Sequence, residues 1–129
     1  GAGYYLYEDG PGKARGQVDA RVSELITSAS ADKDIVRRAL GADEILQRAL
    51  LAMVNEAALV LAEGVAQRAG DVDVVLLNGY GFPRGEGGPV SWARKRGAQA
   101  LQADLQWLAQ LSGPGFVAVD PRHVLEEAA

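Results

Sequence analysis

The middle of the chain carries apolar residues at helical spacing between Asp43 and Gly64. The positions that share this spacing are Leu46, Leu50, Met53, Ala57 and Val60. Side chains three or four positions apart lie on one face of an α-helix, so the spacing predicts a long helix. Further apolar residues on its other faces predict that neighbouring helices surround it. We expect Asp43 to cap its N-terminus and Gly64 to follow its last turn.

Shorter helical patterns lie on both sides of this element. Asp19 is a predicted N-cap for a helix whose apolar face carries Val22, Leu25 and Ile26. Pro89 suits the first position of a helix that Gly97 ends. The leucines Leu101, Leu105, Leu108 and Leu111 define the apolar face of an amphipathic helix after Gly97. A last short helix is predicted from Pro121 to Leu125.

Three stretches are less regular. Residues 4–7, YYLY, suit either a short strand or an extended arm, and residues 72–77 suit either a strand or a helix capped by Asp71 or Asp73. Residues 27–34 are predicted as a polar loop, and residues 35–40 as a short helical turn. Since two isolated strands make no parallel sheet, the predicted fold class is all-α. It is a compact helical domain with one long central helix, in residues 19–129, preceded by an N-terminal arm in residues 1–18.

Composition narrows the chemistry that this domain can perform. The chain has 129 residues, a net charge of -4, no cysteine and a single histidine, His123. Thiolate and multi-histidine metal sites are therefore excluded, and the negative charge disfavours a nucleic-acid partner. Polar residues interrupt the long apolar helix, which predicts a core helix and no membrane span. The only methionine is internal, so we expect a piece of a longer protein.

The glycine-rich stretch of residues 72–89, VDVVLLNGYGFPRGEGGP, resembles a nucleotide-binding turn at first sight. Gly79 and Gly81 match the first two glycines of the G-x-G-x-x-G fingerprint, but Arg84 stands where the third is required. Pro83 and the glycines after it are also unsuited to the helix that must follow. We therefore interpret the stretch as a structural turn between helices and predict no cofactor-binding residue in it.

Few other residues suggest a site. Glu56 is a carboxylate on an apolar helix; it is either a general acid or base, or an anchor that accepts hydrogen bonds from the glycine turn, and we favour the anchor. No catalytic residue and no metal ligand are predicted, and His123 is interpreted as a surface residue. The residues predicted to have structural roles are Glu56, Asp73, Gly79, Gly81, Pro83, Gly87, Gly88 and Pro89.

An ordered set of motifs resembles the C-terminal helical region of 3-hydroxyacyl-CoA dehydrogenases. The set comprises GAGYYLYEDG at the N-terminus, EILQRALLAMVNEAALVLAEGVA in the long helix and DVDVVLLNGYGFPRGEGGP after it. No single motif is specific, but together they cover nearly the whole chain in the family's order. In that order, a glycine-tyrosine segment before a complete helical body resembles the second helical copy of multifunctional β-oxidation enzymes.

The resemblance implies a scaffold without catalytic residues of its own. In such enzymes NAD and the catalytic pair belong to a Rossmann domain, so NAD and the acyl-CoA substrate are expected in the parent protein only. The helical-domain asparagine of the family corresponds to Gln47 here, a departure that puts a catalytic role in doubt. The expected partners are the first helical copy and the Rossmann domain of the parent, and an enoyl-CoA hydratase half is expected to be fused. The isolated chain could also form a homodimer.

Two other interpretations stay open. One is a stand-alone helical dimerisation or interaction module without catalysis, and the other is an enzyme that uses Glu56. The upstream reading frame distinguishes them, since the dehydrogenase interpretation requires a Rossmann-type sequence there. The expected location is the bacterial cytoplasm, with the peroxisomal matrix as the alternative.

Overall fold

The computed structural model describes residues 3–7 and 16–126, and within them the chain is mainly helical, as predicted. The chain consists of two compact units, Gly1–Ala39 and Leu40–Ala129. The predicted boundary between an arm and a domain at residues 18 and 19 stays a prediction.

The first unit contains a minimal antiparallel ladder and one helix. Strand β1 (Tyr5–Leu6) pairs with β2 (Gln17–Val18), with Tyr5 opposite Val18. Helix α1 (Ala20–Ala31) begins after Asp19, whose carboxylate accepts a hydrogen bond from the amide of Arg21, so the predicted N-cap is confirmed. The helix extends through residues 27–31, which were predicted as loop.

The second unit contains five α-helices and one turn of 3-10 helix in its described residues. They are α2 (Ala42–Ala62), α3 (Ala69–Gly79), the 3-10 turn Arg84–Glu86, α4 (Pro89–Arg96), α5 (Ala98–Ser112) and α6 (Arg122–Leu125). Residues 72–77 are therefore helical, and the alternative of a strand is wrong. Residues 35–40 form no helical turn, against the prediction.

Helix α2 is the central element of this unit and contacts α3, α4, α5 and α6. The N-cap of α2 is Gly41, so the prediction of Asp43 as the N-cap is wrong. Asp43 lies in the first turn, where its negative charge interacts favourably with the positive end of the helix dipole. Gly64 lies just past the helix end with φ of 72°, as its predicted role requires. By length and composition alone α2 could also cross a membrane, a criterion that the core helices of globular proteins meet as well.

The core face of α2 overlaps only in part with the stripe that the spacing predicted. Leu51, Val54 and Ala58 are fully buried against α4, α5 and α6. Of the predicted stripe, Ala57 belongs to this core, whereas Leu46 is 59% exposed. The remaining core residues outside α2 are Ala69, Val90, Ala93, Leu101, Leu105, Leu108 and Val124. The apolar surface of α2 is therefore wider than its core contacts need.

Candidate functional site

The glycine-rich stretch forms the connection between α3 and α4. Gly79 is the last residue of α3, and Pro83 precedes the 3-10 turn. Gly81 and Gly87 have φ values of 71° and 80°, in the left-handed region that favours glycine. Because a helix and not a strand leads into these glycines, the stretch lacks the strand–turn–helix arrangement that a dinucleotide requires.

Asp73 fixes this connection from inside α3. Its carboxylate accepts hydrogen bonds from the amide of Val90 at 2.8 Å, the amide of Ser91 at 3.0 Å and the hydroxyl of Ser91 at 2.7 Å. These amides belong to the first turn of α4, whose N–H groups have no partner within their own helix. The buried Asp73 thus caps α4 across the connection, and its negative charge interacts favourably with the positive end of the α4 dipole.

Gly88 makes this capping contact possible. A β-carbon at Gly88 would lie 2.3 Å from Oδ1 of Asp73, and its φ of 97° is strained for any other residue. Pro89 follows at the first position of α4, where the absence of an N–H group costs no hydrogen bond. Since the carboxylate of Asp73 occupies the amides that a phosphate would use at this helix end, the stretch does not fit NAD.

Asn55 and Glu56 lie next to each other on α2 but have different surroundings. Asn55 is 5% exposed; its amide donates to the carbonyl of Val117 at 3.1 Å and its Oδ1 accepts from the amide of Val119 at 2.9 Å. Glu56 is exposed, and no hydrogen bond of its side chain occurs within the described residues. The anchor of the glycine turn is therefore Asp73 rather than Glu56, because Glu56 points away from the core.

Glu56 lies instead at the edge of an open apolar groove of about 690 Å³ between α2 and α3. Met53, Ala57 and Val60 of the predicted stripe form the α2 side of the groove. The other lining residues are Val65, Ala66, Gln67, Asp71, Val72, Val75, Leu76, Tyr80 and Pro89. The groove explains why Met53 and Val60 are apolar although they lie outside the core.

Gln47 lies in a polar contact between α2 and α5. Its amide nitrogen is 3.4 Å from Oδ1 of Asp104, whose carboxylate also forms an ion pair with Arg96. The guanidinium of Arg96 lies 5.8 Å from the ring centroid of Trp92, which packs against the core. Gln47 thus belongs to a polar contact that connects three helices, in which the one adjoining carboxylate, that of Asp104, is paired with Arg96.

His123 is exposed in α6, as predicted. The three basic residues Arg94, Lys95 and Arg96 are also exposed and form the last turn of α4, where positive charge interacts favourably with the helix dipole. Two exposed ion pairs shift pKa values: hydrogen bonds from Arg68 and Arg122 lower the pKa of Asp71 and Asp120, respectively. In residues 3–7 and 16–126, no group of three or more His, Cys, Asp or Glu side chains could hold a metal ion.

From the sequence, Asp73 was predicted to have a structural role, but its hydrogen-bond partners were not predicted. Asn55 stood within the long-helix motif and was given no role. A signal existed for both, since each is a short polar residue within an apolar stretch and such residues are buried only with hydrogen bonds. The partners lie 17 and 64 positions away along the chain, so no local pattern could identify them.

Comparison with known proteins gives whole-chain similarity to one kind of enzyme. Over all 129 residues the chain is 34% identical to the peroxisomal bifunctional enzyme of Cavia porcellus and 33% identical to that of Homo sapiens. The enzyme of the same name from Danio rerio is 34% identical over 107 residues. No family model matches the chain. The chain is thus homologous to a part of these enzymes, and it spans 18% of the length of the first two.

The same comparison corrects the predicted location. The relatives are named peroxisomal and come from animals, so the expected bacterial cytoplasmic location is wrong. The alternative, the peroxisomal matrix, fits these names.

Proposed function

We propose that the chain is the second C-terminal helical copy of an NAD-dependent 3-hydroxyacyl-CoA dehydrogenase of fatty acid β-oxidation, in a parent protein that also carries an enoyl-CoA hydratase. The observation that carries this proposal is the 33–34% identity over the whole chain to peroxisomal bifunctional enzymes. The motif order from GAGYYLYEDG to GFPRGEGGP supports the assignment to the second copy.

In this proposal the chain is a scaffold for a reaction that takes place elsewhere in the parent. The parent oxidises the 3-hydroxyl group of an acyl-CoA with NAD, and its dinucleotide-binding domain and first helical copy are the partners of this domain. The contacts of Asp73 and Gly88 support the scaffold role, because an anion at the start of α4 would compete with Asp73 for the same amides. Gln47 contributes a structural contact with Asp104.

The test compares residues 1–129 alone with the full-length parent in a hydride-transfer assay with acetoacetyl-CoA and NADH. We expect turnover by the parent and none by residues 1–129. Turnover by the isolated residues would contradict the scaffold role. An upstream reading frame without a dinucleotide-binding sequence would contradict the dehydrogenase assignment.

A matched pair of variants in the parent tests Gln47 separately. Gln47→Ala is expected to leave kcat within about twofold of the wild type and to lower Tm slightly, since it removes one long hydrogen bond. Gln99→Ala, at an exposed position of α5, is the control. A loss of kcat on the scale of about a hundredfold, with Tm unchanged, would assign Gln47 to catalysis.

A second candidate function is a helical interaction module without catalysis. The open apolar groove between α2 and α3 favours it, since such grooves bind amphipathic helices. Absence of any dehydrogenase sequence upstream would select this candidate.

A further inference from the structure

The chain contains two asparagines, and the structure gives them opposite surroundings. Asn55 is buried, its amide is hydrogen-bonded through both its oxygen and its nitrogen, and Glu56 follows it in the chain. Asn78 is exposed in the last turn of α3, and Gly79 follows it as the last residue of that helix. An asparagine before a glycine is chemically reactive, because the backbone nitrogen of the glycine can attack the side-chain carbonyl carbon.

The end of α3 leaves the nitrogen of Gly79 open to this reaction. Glycine has no β-carbon to screen its nitrogen, and even an added β-carbon at Gly79 would meet no atom within 4 Å. The amide of Tyr80, just past the helix, donates to the carbonyl of Leu76 at 3.3 Å, which is a long hydrogen bond. Because the terminal turns of helices fray, the backbone at Asn78 can leave the helical conformation that holds its side chain away from this nitrogen.

Two hydrogen bonds orient the side-chain amide of Asn78. Its nitrogen donates to the carbonyl of Val74 at 2.8 Å, one turn back in α3, and its oxygen accepts from Nη2 of Arg84 at 3.3 Å. The guanidinium of Arg84 therefore lies beside the oxygen on which negative charge develops during an attack at Cγ. It is also placed to pair with a carboxylate at position 78, which offsets the unfavourable interaction of a new negative charge with the C-terminal end of α3.

We propose that Asn78 and Gly79 form a modification site at which Asn78 deamidates in the folded protein, promoted by the hydrogen bond from Arg84. The nitrogen of Gly79 loses its proton to solvent and attacks Cγ of Asn78, the bond from Cγ to Nδ2 breaks, and Nδ2 takes up a proton and leaves as ammonia. Water then opens the cyclic imide at either carbonyl and gives aspartate or isoaspartate, with no oxidant or reductant consumed. The product carries a negative charge at position 78, between the groove residues Leu76 and Tyr80.

Mass spectrometry of residues 1–129, incubated at body temperature and mildly alkaline pH, tests the site. Trypsin cleaves after Arg68 and Arg84, so Asn78 is the only asparagine in its peptide, and Asn55 in another peptide is the internal control. We expect Asn78 to deamidate at least about tenfold faster than Asn55. Part of the product should be isoaspartate, which direct hydrolysis of the side chain does not give. Equal rates at the two asparagines, or a product without isoaspartate, would overturn the proposal.

Variants separate the contributions of Gly79 and Arg84. Gly79→Ala should slow deamidation at least about tenfold, because a methyl group screens the attacking nitrogen. Gly85→Ala is the matched control, since an added β-carbon there also meets no atom within 4 Å, and its rate should equal that of the wild type. A Gly79→Ala variant that reacts as fast as the wild type would overturn the attack by this nitrogen.

Arg84→Gln should slow the reaction at least about threefold in the folded protein, and Arg84→Lys should restore part of the rate. In concentrated urea Arg84→Gln should react as the wild type does, because only the fold brings Arg84 to the amide of Asn78. An unchanged rate in the folded variant, or an equal loss in urea, would overturn the role of Arg84. The measurement needs no dehydrogenase activity, so this proposal and the proposed function can fail separately.

Discussion

A β-carbon on Gly88 would lie 2.3 Å from Oδ1 of Asp73, which is closer than any real contact of that kind. The carboxylate lies there because it accepts hydrogen bonds from the amides of Val90 and Ser91 at the start of α4. The contact therefore requires both Gly88 and Asp73, and substitution of either residue is expected to destabilise the fold.

Gly88→Ala is expected to lower the free energy of unfolding by about 2–4 kcal/mol, because it adds a steric overlap to a φ that only glycine adopts easily. Urea denaturation measures the change. Gly85→Ala is the control, since a β-carbon at Gly85 would meet no atom within 4 Å. Equal effects of the two substitutions would contradict the described contact.

Asp73→Asn is expected to destabilise the domain by about 2–3 kcal/mol, because it weakens charge-assisted hydrogen bonds at a buried position. Asp71 is a matched control two positions away. It is part of an exposed ion pair with Arg68, so Asp71→Asn should cost clearly less stability than Asp73→Asn. Thermal unfolding of both variants at neutral pH checks the order, and a larger effect of Asp71→Asn would refute it.

Asn55→Ala is expected to cost about 1–3 kcal/mol, since the backbone groups of Val117 and Val119 lose a buried partner. Glu56→Gln, at the neighbouring exposed position, should change stability by no more than about 0.5 kcal/mol. Chemical denaturation of the pair separates the two roles. Marked destabilisation by Glu56→Gln would restore Glu56 as an anchor.

The two exposed ion pairs of Asp71 and Asp120 predict that the stability of the fold falls at low pH. Hydrogen bonds from Arg68 and Arg122 hold the pKa of Asp71 and Asp120 below the usual 3.8. A carboxyl group whose pKa is lower in the folded state stabilises the fold above its unfolded pKa. That contribution is lost as the pH falls below 3.8 and through the folded pKa.

Carboxyl carbon chemical shifts measure these titrations directly. Arg68→Gln should raise the midpoint of Asp71 and leave that of Asp120 unchanged, and added salt should reduce both shifts. Midpoints of Asp71 and Asp120 at or above the usual value would contradict the ion pairs.

The sequence by itself determined several helix ends, namely those where capping and turn residues lie next to the helix. Asp19 caps α1, Pro89 begins α4, and Gly64 and Gly97 lie just past helix ends with positive φ, because capping and turn chemistry act within a few residues. Arg84, at the position of the third glycine, also argued from the sequence against a dinucleotide loop. These conclusions needed no knowledge of distant residues.

Tertiary structure alone decided which apolar face of α2 is the core and which lines a groove. The faces of Leu51 and Met53 are both apolar, and only the positions of α4, α5 and α6 distinguish them. It likewise decided that Asp73, not Glu56, anchors the turn, because the amides of Val90 and Ser91 come within reach of α3 only when α4 packs beside it. The sequence shows that a buried polar side chain needs hydrogen-bond partners, and the tertiary structure determines which groups those partners are.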